Sequence, residues 1–243
     1  MSLFESFNLG TGFRKYFRIE QAHDPAKLEA VLRIRQEVFR ENLGKDIPHQ
    51  DSFDAASLHC LIRKAAAPGE AIGCARLILG ERLPQGTQFP FEVAANGLFE
   101  DEQLVLSGSE RNRIGEISML AVRRTHRRRA GEATIPISIQ SEDFTSHDQP
   151  RFPFLPIGLY LGTLAFAADR GLETLYMLAS PRLSTHLGRL GIPLQQVGPG
   201  TAANHATVPV RIDVANSVSA MPFLLQPIWE SVRQDLRRTP LAP

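Results

Sequence analysis

Apolar positions along the chain follow two rhythms, one of period two and one of period three to four. A weak alternation over residues 17–21 predicts a first strand. Leu28, Val31, Leu32, Ile34, Val38 and Phe39 then fall at helical spacing, with Asp24 as N-cap and Pro25 as first helical residue. That helix should end at 42–44, and the polar run KDIPHQDSFD after it reads as a loop. SLHCLIRK and AIGCARLIL flank the turn APGE and predict an antiparallel hairpin. The acidic, mixed stretch 92–106 predicts helix and loop. IGEISMLAV at 114–122 is apolar on both faces, as a mid-sheet strand is. Residues 130–156 are polar, contain proline and lack a period, which predicts a long loop or insertion. A helix over 158–170, a strand over 172–180 and a short helix closed by Gly191 follow. Strands are expected at 192–197 and 208–214, and a C-terminal helix over 222–238 within the tail 215–243. The order predicts an α/β (α+β) fold, a single domain over 1–243, with a mixed, mostly antiparallel sheet flanked by helices and a βαβ unit in its second half. Many functions share such an order.

Composition changes this picture little. Lys and Arg number 27 against 26 Asp and Glu, a net charge of +1, which argues against general nucleic-acid binding. The two cysteines, Cys60 and Cys74, are too few for a disulfide scaffold and read as small buried hydrophobes. No apolar run reaches the ~18 residues of a membrane span, and the opening MSLFESFNLGTGFRKYF has no signal-peptide core. A cytoplasmic protein is expected. No pair of histidine, cysteine or carboxylate shows metal-ligand spacing, so no metal is expected. No Gly-x-Ser-x-Gly or Cys-His arrangement marks a covalent nucleophile.

Several short motifs occur in order. They are RQEVF (35–39), DSFD (51–54), GCARLIL (73–79), FPFE (89–92), GEISMLAV (115–122) and the long segment 158–199. Together, over about residues 17–200, they resemble the GNAT-like acyltransferases of the autoinducer synthase and N-acyl amino acid synthase group, and most of all the acyltransferases associated with PEP-CTERM/exosortase systems. Two positions depart from the group's pattern. His49 stands where the acidic loop's first acid is expected, and Met119 where an arginine follows Glu-x-Ser. Both departures move the expected product away from a homoserine lactone and toward an N-acyl amino acid or amine.

The resemblance implies attack of an amine on an acyl thioester, with acyl-carrier protein or acyl-CoA as co-substrate and no permanently bound cofactor. The amine's proton needs a base or a water relay, and the oxyanion a donor such as a free backbone N–H. In GNAT proteins both lie where two central strands diverge, here 114–122 and 172–179. Glu116, between apolar neighbours, is expensive to bury unpaired. It is read as general base or ammonium anchor, or else as partner of an arginine such as Arg76. Arg76 pairs with Glu116, Asp51 or Asp54, or holds an acceptor carboxylate. Ser118 bonds substrate or is an ordinary strand serine. Arg35, Asp51 and Asp54 are candidates for acceptor binding. The alternatives are a snorkelling arginine and a solvated loop.

Arg128-x-x-Gly131-x-Ala matches the GNAT pyrophosphate loop in pattern, which makes Arg128, Arg129 and Gly131, with Leu120, Ala121 and Val122 before them, candidates for the donor's phosphopantetheine arm. Arg123, Arg124 and Arg127 suit docking of acidic acyl carrier protein, or form a solvated basic loop. Met119, Leu120, Phe154, Leu159, Leu161, Leu164, Phe166 and Met177 could line an acyl tunnel or fill a core. The expected function is transfer of a fatty acyl group to the amine of an amino acid or similar small amine. Alternatives are a homoserine-lactone-type synthase, a short-chain CoA-dependent GNAT, and a non-catalytic module that binds acyl donors.

Overall fold

A computed structural model describes residues 3–43, 50–67, 69–95, 108–126, 154–198 and 207–238. Seven strands form one sheet: β1 (Phe17–Ala22), β2 (Ser57–Lys64), β3 (Ala71–Leu79), β4 (Ile114–Val122), β5 (Thr174–Ala179), β6 (Gln195–Gln196) and β7 (Val208–Asp213). Their order is β1-β2-β3-β4-β5-β7-β6, and every neighbour is antiparallel except the β4–β5 pair. The expected hairpin and the mid-sheet position of 114–122 are both present. The expected strand over 192–197 shrinks to Gln195–Gln196 at the sheet's edge, where β7 alone pairs with it.

The helices are α1 (Leu3–Tyr16), α2 (Pro25–Leu43), α3 (Pro90–Ala95), α4 (Gly108–Arg111), α5 (Phe154–Asp169), α6 (Pro181–Arg189), α7 (Val214–Ser219) and α8 (Gln226–Arg238). The Asp24 carboxylate accepts from the Lys27 N–H at 2.9 Å, the N-cap expected for α2. Ser180 caps α6 in the same way, and Gly191 takes φ +81 just beyond it.

Besides β6, sequence pattern missed or misplaced four helices. Helix α1 has weak amphipathicity and two glycines, so its period is faint. Gly10 lies at its contact with α8: a Cβ there would lie 2.7 Å from Pro227, so the glycine lets α1 press onto α8. Helix α5 begins at Phe154, inside the expected loop 130–156, because Pro156 falls in its first turn, where a missing N–H costs nothing. Helix α7 follows β7 directly, capped by Asp213, where strand was expected to run to 214. Helix α8 starts at Gln226 rather than 222.

Strand alternation divides the core. Ile72, Ala75, Leu77 and Leu79 of β3 join Ile117, Leu120 and Val122 of β4 on the face covered by α5 and α8. Helix α5 is apolar nearly all round and passes close over the sheet at Gly158 and Gly162. On the opposite face the apolar packing is interrupted. One cluster gathers Val31, Ile34 and Val38 of α2 with Leu61 and Cys74. Another gathers Phe89, Phe91, Ile78 and Tyr176. Polar residues fill the space between them.

Candidate active site

The polar space is built as a row across the sheet. His59 of β2 lies directly opposite Arg76 of β3, and Arg76 lies opposite Ser118 of β4. Helix α2 lowers Arg35 onto this row, and the turn preceding β2 brings Asp51 and Asp54. Arg35 is 2% exposed and Arg76 1% exposed, so both guanidiniums need partners. Arg76 Nη1 donates to Asp51 at 2.5 Å and to Asp54 at 3.0 Å, while Nε donates to Ser118 Oγ at 3.0 Å. Arg35 Nη1 donates to Asp54 at 2.7 Å, and Nη2 donates to His59 Nδ1 at 2.9 Å. The backbone N–H of Asp51 donates to the second oxygen of Asp54.

Five of the expected site residues, Arg35, Asp51, Asp54, Arg76 and Ser118, are thus brought together. Arg76 takes the two aspartates as its ionic partners and leaves Glu116 without a salt bridge to it among the described residues. Arg35 is no snorkelling side chain; burial and the Asp54 ion pair fix it inside. Burial alone would push the Asp54 carboxyl up, but Arg35, the Asp51 N–H and Arg76 outweigh it and hold Asp54 below the ordinary range. His59, which sequence reasoning passed over, is held neutral down to about pH 4 by burial and by the charge of Arg35. The register of the hairpin was the available signal, since it sets His59 against Arg76.

Glu116 is 1% exposed, next to Ser118 on the same face. Its Oε2 accepts the Phe91 N–H at 3.1 Å. Phe91 is fixed in turn by stacking on Tyr176 of β5 at 4.2 Å, and Tyr176 pairs with Glu116 across the parallel ladder. Burial raises the Glu116 carboxyl to about 8, against the opposing pull of the Phe91 N–H and of Arg76. Sequence gave no sign of Phe91's part, which is played by its backbone.

Strands β4 and β5 pair only from Ile114↔Thr174 to Ile117↔Met177. Beyond Ile117 they part. At the same point β4 bulges: Arg76 faces Ser118 while Cys74 faces Ala121, so Met119 and Leu120 share the place of one residue. Met119 takes φ +51, rare for a side chain with a Cβ. A cavity of about 350 Å³ opens at the parting, lined by Asp51, Arg76, Glu116 and Ser118 on its polar side. Its apolar wall includes Phe39, Phe53, Met119, Leu120, Met177 and Leu183. Of the residues considered for an acyl tunnel, Met119, Leu120 and Met177 line it. Phe154, Leu159, Leu161, Leu164 and Phe166 belong instead to the core beneath α5.

Among the donor-binding candidates, Leu120 reaches the cavity, while Ala121 and Val122 are buried and paired with Cys74 and Gly73. Arg123, a docking candidate, also has a structural contact. Its Nε lies 2.9 Å from Glu37 and its Nη1 donates to the Ala71 carbonyl, so it ties α2 to the sheet. Arg124 opens a 3-10 turn, Arg124–His126. Arg127, Arg128, Arg129 and Gly131 lie outside the described residues, as does His49.

Residues 34–135 match the family model described as acetyltransferase (GNAT) domain. No curated protein matches significantly. Among solved structures, TofI in a ternary complex with an inhibitor and MTA is 21% identical at TM-score 0.57, over 88% of this chain and 96% of that one. The CoA-dependent acyl-homoserine lactone synthase BjaI, with MTA, is 15% identical at TM-score 0.54, over 87% and 89%. FeeM, an N-acyl amino acid synthase from uncultured soil microbes, is 14% identical at TM-score 0.54, over 84% and 93%. At these identities the likeness is one of fold. The match to the GNAT domain and that fold together support an acyltransferase.

Proposed function

We propose that this chain, an acyltransferase by domain match and fold, moves a fatty acyl group from a carrier-protein or CoA thioester to the amine of an amino acid or similar small amine. The observation that carries the reading is Glu116. It is a buried carboxyl poised near pH 8 beside Ser118 and Arg76, at the cavity where β4 leaves β5. A base works best with a pKa near the working pH, and burial gives Glu116 that value. The amine nitrogen attacks the thioester carbonyl and Glu116, directly or through water, takes its proton. The C–N bond forms, the C–S bond breaks, and the proton returns to the leaving sulfur. Backbone N–H groups of β4 beyond Ile117, no longer engaged by β5, suit the oxyanion.

Asp51, 29% exposed at the cavity, suits the acceptor's ammonium before its proton is lost. The apolar wall and a volume of about 350 Å³ exceed what an acetyl group fills, which favours a longer chain over a short-chain donor. The basic run at 127–129 suits docking of acidic acyl carrier protein. Charge reversal by Arg127→Glu with Arg128→Glu should weaken carrier-protein binding; intact binding refutes the docking. The main test is mass spectrometry of lipid extracts from cells expressing the chain. New long-chain N-acyl amines or amino acids, absent with Glu116→Ala, are the expected result. Unchanged lipids across a broad acceptor pool would overturn the reading.

A further inference from the structure

We infer that His59 is a positioning residue for the acceptor side of the cavity, holding Arg35 so that Asp54, and through it Arg76 and Asp51, keep their places. The inference rests, for its kinetic part, on the acyl-transfer reading above.

A guanidinium offers only donors. The 2.9 Å contact between Arg35 Nη2 and His59 Nδ1 therefore requires Nδ1 to be unprotonated, which fixes the ring as the neutral Nε2–H tautomer. The charged groups around the ring are Arg35 on α2, Asp54 in the turn and Arg76 on β3. A proton on Nδ1 would set N–H against N–H.

Arg35 depends on this acceptor more than its ion pair suggests. Among the described residues its Nε is buried without a hydrogen-bond partner, and besides the weak neighbour Cys74 the strong contacts on the fork are Nη1 on Asp54 and Nη2 on His59. One contact sets a distance; two set an orientation. Without His59, Nη2 would be buried unpaired, and the guanidinium would be free to turn away from Asp54 toward any other acceptor. Asp54 Oδ1 is shared by Arg35 and Arg76. A change in Arg35 therefore reaches Arg76, whose other donors hold Asp51 and Ser118 at the cavity. His59 itself lines no part of that cavity, although with Asp54, 3.8 Å from its Nε2, it lines a second one of about 330 Å³; its reach to Arg76 and Asp51 runs through Arg35 and Asp54.

Two variants separate acceptor geometry from bulk. His59→Asn keeps an acceptor near the position of Nδ1; His59→Leu fills similar space without one. With the acyl donor saturating, His59→Leu should raise KM for the amine at least tenfold, leave KM for the donor within twofold, and His59→Asn should recover most of the loss. Equal amine KM in His59→Leu and wild type overturns the inference, as does an Asn variant no better than the Leu variant. Nitrogen NMR of the wild-type imidazole gives an arm independent of catalysis and of variant folding. The expected signature is the Nε2–H tautomer with no titration between pH 5 and 8. An Nδ1–H tautomer, or a ring that protonates in that range, overturns the inference. If the wild type transfers no acyl group at all, the functional reading fails while the NMR result still decides the state of His59.

Discussion

At the scale of single residues, Glu116 as the proposed base would couple chemistry to stability. Its carboxyl, ordinarily near 4.5, is raised to about 8. The base form therefore accumulates only toward pH 8, and kcat/KM should climb from pH 6 to a plateau above 8; a rate independent of pH across this range would remove Glu116 as the base. The native state also binds a proton that the unfolded chain gives up. Stability from this group is full below about 4.5 and falls as pH rises through 8, by about 1.4 kcal/mol per pH unit inside that window. Glu116→Gln, which carries no charge, should abolish transfer yet gain on the wild type in denaturant midpoint between pH 6 and 9. The ion pairs behave in the opposite sense. Arg35→Met leaves Asp54 buried beside one arginine instead of two, and should cost on the order of 3 kcal/mol by urea unfolding at pH 7. The sequence exposed much of this cluster, because Arg35 and Arg76 stand among apolar positions where a charge needs a reason. It hid His59, which in SLHCLIRK looks like another core residue, and Phe91, whose contribution is an amide every residue owns.

At the scale of elements, position rather than identity decides what α3 does. Glu92 accepts the Phe89 N–H at 2.6 Å and pairs with Arg111, whose Nη2 also donates to the Thr87 carbonyl. This latch holds α3 where the Phe91 N–H meets Glu116. That hydrogen bond favours the charged carboxylate, so loosening it with Arg111→Ala should move the midpoint of the pH–rate curve upward. A downward move would contradict the coupling. Helix α5 is equally constrained. A Cβ at Gly162 would lie 2.5 Å from Cys60 Sγ, so Gly162→Ala should cost about 1–3 kcal/mol, read as a lowered Tm. Strands β2, β3 and β4 were legible because their apolar runs end at turn and loop signals. Helix α1 was not, because glycine at a helix contact reads locally as a helix breaker, and only the Pro227 surface of α8 makes it useful. The bulge at Met119 left no local mark either. A positive φ at methionine goes against its intrinsic preference and is imposed by the register of the whole sheet.

At the scale of the molecule, the two faces of the sheet have different duties. The α5 face is continuous and apolar and holds the largest hydrophobic cluster among the described residues. The α2 face is divided, and its two smaller clusters brace a polar seam that the first face stabilises from behind. This division was not readable from composition, since a net charge of +1 conceals how closely the charges are grouped. The parting of β4 from β5 is the feature with the widest reach. A strand in the middle of a sheet ordinarily has both edges occupied, yet among the described residues β4 past Ile117 pairs only with β3. The edge of β4 past Ile117 borders the cavity instead, and on the proposed function a donor carrying spaced amide groups would pair there as a further strand does. If that proposal holds, a saturating donor should raise Tm with the logarithm of its concentration and slow hydrogen exchange at the 118–120 amides above all others. If the proposed donor binds so, it would serve for one turnover as a temporary strand of the sheet.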